Sequence, residues 1–251
     1  MTLADDLRGL GLGAGSRVVV HSSLRAVGHA ADDVIAALLD VVGPTGLVVV
    51  PAFRYDTTRF DPATTPGRTG ALTEAFRRRP DAVRSLHPFY SVAAVGDGAA
   101  ELCAGHERLP ATGIGSPLDR VAGDGGLVLL LGVAQTANTT VHVGEFHADV
   151  PYLDVPFDPA WPTEAEVETP DGAIRYSYDR FPGCSRAFGL LERPLRERGA
   201  VRDGRVGRAL AQLVPGRAVV EETVALLERD PAALLCTDPA CYRCSRARLS
   251  L

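Results

Sequence analysis

The strongest constraint on this chain is a rhythm in its first half. Short apolar runs rich in β-branched residues, "RVVVHSS", "GLVVVPAF", "YSVAAVG" and "GGLVLLLGV", are bounded by Gly or Pro, and helical patterns such as "DDVIAALLDVV" and "GALTEAFRRR" fall between them. Continuous rather than alternating apolar runs are what strands buried on both faces require. Their alternation with helices predicts an α/β fold, a mixed central sheet flanked by helices. The second half differs. A Pro-rich passage runs from Pro151 to Pro162, and "EAEVETPDGAIRYSYDR" then alternates around the turn "PDG", which predicts an added β-hairpin. The stretch to about Pro215 gives mixed signals, and "VVEETVALLERD" reads as an amphipathic helix. No flexible Gly/Ser linker separates the halves, so one domain is expected over 1–251, with an α/β part over 1–150 and a hairpin, helices and a cysteine cluster over 151–251.

A chain of 251 residues buries about 70% or more of its unfolded surface, so neither a disulfide nor a metal is needed merely to fold it. The opening "MTLADDLRGLGLG" carries acids and no long apolar core, and no later run approaches the length of a membrane span. A soluble, cytoplasmic protein is therefore expected, with no membrane partner. A net charge of -5 with dispersed arginines argues against nucleic acid and suits cationic substrates. Every basic residue is Arg, for the chain has no Lys. That excludes Schiff-base and pyridoxal phosphate chemistry on Lys, the P-loop and the kinase Lys, and leaves His, carboxylates, hydroxyls, thiols and Arg.

Five constellations can carry chemistry. In "VVVHSSLRAVG" a buried strand runs into Ser22, Ser23 and Leu24, and strand-end hydroxyls with free backbone N–H groups suit a phosphate or pyrophosphate, or merely satisfy a turn. In "TPGRTGALTEAF", Thr69 and Gly70 can cap a helix from about Ala71, with Arg68 beside its positive end; the run Arg77 to Arg79 is expected to be a solvated face. His87 in "SLHPFYSV" sits at a strand entrance, as a structural hydrogen-bonder or a cofactor-side group. The stretch "NTTVHVGEFHADVPY" places His142, Glu145 and Asp149 at i, i+3 and i+7, one stripe of a helix that Asn138 or Thr139 can cap. His142 is a candidate base, and Glu145 can hold its other nitrogen or receive a substrate ammonium; a structural His–Glu pair is the alternative. Finally, Cys236, Cys241 and Cys244 form C-x4-C-x2-C, with Cys184 in "FPGC" as a fourth thiol. Reduced cysteines in two clusters read as a structural Zn2+ site, with free buried thiols as the alternative, while Cys103 reads as core.

Together these stretches resemble the aminoglycoside 3-N-acetyltransferase family (antibiotic N-acetyltransferase type). "VVVHSSLRAVG", "GPTGLVVVPAF", "FDPATTPGRTGALTEAFRR", "RSLHPFYSVAAVG", "SPLDRVAGDGGLVLLLGV" and "NTTVHVGEFHADVPY" come in the family's order and cover most of residues 15–155. The resemblance implies an acetyl-CoA-dependent acyltransferase on an α/β fold whose first part binds the cosubstrate. Carried over by position, Ser22, Ser23, Leu24, Thr69, Gly70, His87 and Ser91 would line the acetyl-CoA site, and Arg68, beside the helix start, is the candidate contact for its phosphates. His142 and Glu145 match N-T-[ST]-x-H-x-x-E, whose His is the expected base. The cysteines resemble those of a zinc-containing branch.

One departure bears on the substrate. Before the motif this chain reads "GVAQTANTT", where antibiotic-modifying members tend to show Gly, an aromatic or His, and an Asp. Gln135 and Thr136 supply no acid there, which leaves Asp56, Glu145 and Asp179 as candidate amine binders. The resemblance implies direct acetyl transfer to an aminoglycoside amine. An acetyltransferase of secondary-metabolite biosynthesis acting on another small amine, and a catalytically silent CoA-binding homologue, stay open, as does a homodimer.

Overall fold

The computed structural model describes residues 2–177 and 180–251. Among the described residues ten strands make two sheets: β1 (Arg17–Ser22), β2 (Leu47–Pro51), β3 (Arg59–Phe60), β4 (Val83–Arg84), β5 (Val92–Gly96), β6 (Leu127–Leu131), β7 (Glu164–Val167), β8 (Ile174–Ser177), β9 (Arg202–Val206) and β10 (Ala209–Pro215). The larger sheet runs β4-β5-β2-β1-β6-β10-β9. Its centre is parallel, β1 pairing with β2 and β6, and its flanks are antiparallel, β5 on β2 and β10 on β6.

The Val-rich runs are the central strands because both of their faces are covered. Val18 and Val20 of β1 join one apolar cluster with Val34, Leu38 and Phe76, while Val19 joins another with Leu102, Leu118 and Val121. Helices Ala31–Val42 and Ala71–Arg77 lie over the first face, and helices Ala99–Cys103 and Pro117–Gly123 over the second.

The smaller sheet, β3-β7-β8, contains the hairpin, β7 and β8 being antiparallel around the "PDG" turn. It packs through Val167 and Tyr176 against Phe53, Phe89 and Tyr90. The region of mixed signals forms β9 and β10, which extend the large sheet, and helix Gly216–Arg229 follows them. This helix crosses helix Thr140–His147 so closely that a Cβ on Gly144 would fall 2.4 Å from Thr223 Cβ. Among the described residues no helix is long and apolar enough to cross a membrane.

Two local expectations are corrected. Arg77 is not on a solvated face: its side chain is buried, donating to Glu74 and to the Ala63 carbonyl, because that edge of the helix lies over the loop before it. Asp149 does not continue the His142 and Glu145 stripe. The helix ends at His147, Asp149 takes a left-handed φ of 48°, and its carboxylate pairs with Arg180 at 2.6 Å.

Candidate active site

A cavity of about 300 Å³ opens at the carboxyl ends of the parallel strands. Ser22 at the end of β1 and Pro51 at the end of β2 line it, with Val133 just past β6. This is where an open α/β sheet leaves its unpaired strand ends, so ligands collect there. Asn138, Thr139 and His142 enter from the following turn and helix. The Asn138 side chain accepts from the Thr140 N–H at 3.1 Å and donates to Gln135 at 2.9 Å, so it fixes the start of this helix, a task that Thr139 does not share.

His142 is the centre of a buried polar constellation. Its Nδ1 lies 2.6 Å from Glu145 Oε2, one turn on. A carboxylate only accepts, so Nδ1 carries the proton, and Nε2 has no partner among the described residues and faces the cavity side. Glu145 has no exposed surface. Its Oε1 accepts from Tyr152 Oη at 2.9 Å, and its Oε2 also accepts from the Gly183 N–H at 2.9 Å. Three donors thus satisfy a buried charge that would otherwise be costly. Glu145, read from the sequence as holding the ring or receiving a substrate ammonium, is buried and is not among the residues that line the cavity. Phe188 stands edge-on to the His142 ring at 4.8 Å and limits its rotation.

His21, the penultimate residue of β1, also lines the cavity, its Nε2 3.3 Å from Thr139 Oγ1. Burial, and then the neighbouring His142, push it down to about 3. It is a neutral hydrogen-bonding group there. The opposite wall is aromatic: Tyr55 stacks on Trp161 at 5.0 Å, and Trp161 on Phe157 at 5.0 Å.

The candidate cosubstrate residues separate into layers. Ser22 and Thr69 line the cavity, whereas Ser23, Leu24, Arg68 and Gly70 are not among its lining residues. The Thr69 hydroxyl donates to the Pro51 carbonyl instead of capping the helix, and Arg68 pairs with Asp56 at 2.8 Å. His87 and Ser91 have no exposed surface. His87 Nδ1 accepts from the Phe89 and Tyr90 N–H groups at 3.2 and 3.0 Å, and Nε2 meets Tyr176 Oη at 2.8 Å. Burial, with His106 beside it, holds its pKa well below the usual value. Its geometry is that of the structural hydrogen-bonder.

Of the candidate amine binders, Asp56 already carries Arg54 at 2.6 Å and Arg68, and does not line the cavity. Asp179 lies outside the described residues. Gln135 has no exposed surface and braces the turn through Asn138 and Gln212, while Thr136 faces the cavity. Among the described residues no carboxylate lines it.

Behind the site the sulfurs of Cys184, Cys236, Cys241 and Cys244 all lie within 4.8 Å of one another, and Cys184 and Cys236 are 3.9 Å apart. Tetrahedral zinc with Zn–S bonds of about 2.3 Å spaces its sulfurs about 3.8 Å apart. The Cys236 N–H points at Cys244 Sγ at 3.3 Å, a donor suited to a thiolate. Hydrogen bonds from the Cys244 thiol foremost push Cys184 down to about 5, against the cost of its burial. Donor type, spacing and polarity fit zinc.

The family model for aminoglycoside 3-N-acetyltransferases matches residues 19–228. The aminoglycoside N(3)-acetyltransferase IV of Salmonella sp is 36% identical over 239 residues, covering 93% of this chain and 88% of that protein. The chain belongs to the aminoglycoside 3-N-acetyltransferase family. The family's members are acyltransferases, and the mixed α/β architecture is theirs. A mutant of aminoglycoside acetyltransferase AAC(3)-IVa, solved in complex with a gentamicin, superposes with a TM-score of 0.88 at 35% identity, covering 99% of this chain and 96% of that one. AAC-IIIb, solved as a binary complex with CoASH, gives 0.79 at 29% identity, covering 90% and 95%.

Tyr152, Gly183 and Phe188 complete the surroundings of His142 and Glu145 without a signal of their own in the sequence. Tyr152 lies inside "NTTVHVGEFHADVPY", but past the helix end, where helical spacing no longer says what it faces. Gly183 and Phe188 are brought to His142 from 38 or more positions away, and only the adjoining Cys184 marks that stretch of sequence.

Proposed function

We propose that this chain is an acetyl-CoA-dependent N-acetyltransferase that acetylates an amino group of an aminoglycoside antibiotic by direct transfer, with His142 as general base. The observation that carries this reading is the His142 imidazole, oriented by Glu145 through Nδ1 and open to the cavity through Nε2. Its relatives' names and their complexes with a gentamicin and with CoASH support the choice of donor and acceptor.

In this mechanism acetyl-CoA and the amine occupy the cavity together. The amine gives its proton to His142 Nε2 and its nitrogen attacks the thioester carbonyl. Backbone N–H groups at the strand ends meet the developing oxyanion, the C–S bond breaks, and coenzyme A leaves as thiolate. Among the described residues no cysteine lines the cavity, so the most nucleophilic side chain for an acetyl-enzyme is missing there, which favours direct transfer. Ser22, Ser23, Leu24, Arg68, Thr69 and Gly70 would hold the cosubstrate, with His87 and Ser91 supporting them from below. The aromatic wall of Tyr55, Trp161 and Phe157 gives the apolar faces of the acceptor's rings a surface.

Cys184, Cys236, Cys241 and Cys244 would hold a structural zinc ion, which supplies folding energy and, with four protein ligands, no open coordination position. Reduced thiols suit a cytoplasmic enzyme. Strands from both halves share one sheet, as expected if residues 1–251 form one acetyltransferase domain.

The test is thiol release from acetyl-CoA across a panel of aminoglycosides and simple amines, with His142→Ala alongside. Release with aminoglycosides that falls about 10²-fold or more in the variant supports the reading. Release only with other amines moves the acceptor to a secondary metabolite, and His142→Ala turning over within a few-fold of wild type ends the role of His142.

A further inference from the structure

The cysteine loop is built into the catalytic constellation. Arg243 lies between Cys241 and Cys244, is 1% exposed, and donates to the Phe181 carbonyl at 2.7 Å. Its guanidinium also stands 5.9 Å from the centre of the Tyr152 ring. A buried guanidinium is a poor filler of space, because an apolar side chain of similar length would avoid its desolvation cost. What it adds is direction: a planar fork that fixes the groups it meets.

The groups it meets are those that hold Glu145. The segment from Phe181 to Cys184 is fixed at one end by Arg243 and by the Phe181 N–H on the Leu153 carbonyl at 2.6 Å. At the other end it is fixed by the Cys184 sulfur in the thiol cluster. Between these anchors Gly183 donates to Glu145 Oε2 at 2.9 Å. A Cβ at Gly183 would lie 2.2 Å from Glu145 Oε1, so only glycine lets the chain approach this closely. The other oxygen of Glu145 accepts from Tyr152, the ring that Arg243 faces. Apart from His142 itself, both donors to the carboxylate therefore sit on pieces that Arg243 touches.

We propose that Arg243 is a positioning residue of the acetyl-transfer site: by gripping the Phe181 carbonyl beside the cysteine loop, it keeps the Gly183 N–H and the Tyr152 hydroxyl on Glu145 and so fixes the His142 ring. This rests on the reading of His142 as the base. A carboxylate that loses one donor turns toward the others, and a small rotation of His142 displaces Nε2 from the attacking amine.

The test compares Arg243→Met, Arg243→Lys and His142→Ala with wild type. The readouts are kcat, both KM values, bound zinc and the proton resonance of the His142 Nδ1–H. Arg243→Met is expected to lower kcat about tenfold with KM values within a few-fold, and to move the resonance while zinc per chain equals that of wild type. Arg243→Lys keeps one donor for the Phe181 carbonyl and should recover most of the rate. A kcat within twofold of wild type with an unmoved resonance, or a rate loss matched by loss of zinc, overturns the proposal. If Arg243→Met does not fold, Arg243→Gln, which keeps a polar side chain but not the guanidinium fork, decides: a lowered kcat with a displaced resonance supports the proposal, and wild-type behaviour in both overturns it. An inactive His142→Ala beside an unaffected Arg243→Met sinks this proposal alone. A fully active His142→Ala sinks the base assignment, and this proposal with it.

Discussion

His142 Nδ1 stands 2.6 Å from Glu145 Oε2, one helical turn away, and the carboxylate that holds it has no surface exposed to solvent. Spacing alone allows Glu145 to orient the imidazole or to bind the substrate, and its burial among three donors favours orientation. Replacing Glu145 with Gln keeps the shape but removes the charge, and lets the amide turn an N–H toward Nδ1. That would favour the wrong tautomer, with Nε2 protonated. Glu145→Gln is expected to lower kcat about 10²-fold while KM values stay within a few-fold, measured by thiol release. A variant within threefold of wild type would show that the carboxylate does not set the ring.

Three buried histidines make the protein sensitive to acid. Burial pushes His21 down to about 3 and His106 down to about 4, and holds His87 well below the usual value. The sign follows from linkage. In the unfolded chain these rings take up protons below about pH 6.5, while the folded state refuses them, so their contribution is present above that pH and is lost as pH falls toward 4. By pH 5 His21 and His106 each cost on the order of 2 kcal/mol of stability, and His87 adds to the loss in the same direction. His106→Gln can still meet Ser85 and the Ala111 carbonyl, His106's partners, and should flatten the fall in urea-unfolding free energy between pH 7 and pH 5. An unchanged slope would mean that His106 is not the group being titrated.

How much of this was legible depended on whether the cause was local. The central strands were readable because "RVVVHS" and "LVLLL" are buried on both faces and need no alternation. β9 was not, because "RDGRV" is an edge strand whose side chains are mostly exposed, with only Val206 fully buried, so no apolar pattern betrays it. His142 and Glu145 were readable from i, i+3 spacing. Tyr152 and Gly183 were not, since they reach Glu145 through tertiary packing that has no period. Arg77 was misread because a run of arginines looks solvated until the loop that covers it is known. The three thiols near the C-terminus were readable from spacing, and Cys184 joins them from 52 positions away.

The helix that carries His142 is seated by a glycine. A Cβ on Gly144 would fall 2.4 Å from Thr223 Cβ and 2.6 Å from its Cγ2, and Thr223 is itself fixed by its hydroxyl on the Val219 carbonyl at 2.7 Å. Neither helix can yield without moving the core between them. Gly144→Ala should therefore cost about 1–3 kcal/mol in urea unfolding despite alanine's better helix propensity, and kcat should fall as the helix shifts. A variant as stable as wild type would mean that the two helices separate at little cost.

Zinc should be found with the protein and should matter for stability more than for cosubstrate affinity. The sulfurs of Cys184, Cys236, Cys241 and Cys244 lie within 4.8 Å of one another and offer a closed set with no position for substrate. Protein purified without chelator is expected to carry about one equivalent, and less than about half would count against the site. Cys184 and Cys241 come from segments far apart in sequence, so the ion would cross-link the start of the turn that carries Phe188 to the C-terminal helix Tyr242–Ala247. Stripping it, or making Cys241→Ser, should lower the unfolding temperature by several degrees. The affinity for acetyl-CoA should change little, because the candidate cosubstrate residues sit at the end of β1, in the turn after it and in the loops between β2 and β5. Loss of acetyl-CoA binding in step with zinc would mean instead that the metal supports the whole cavity and not only the wall behind His142.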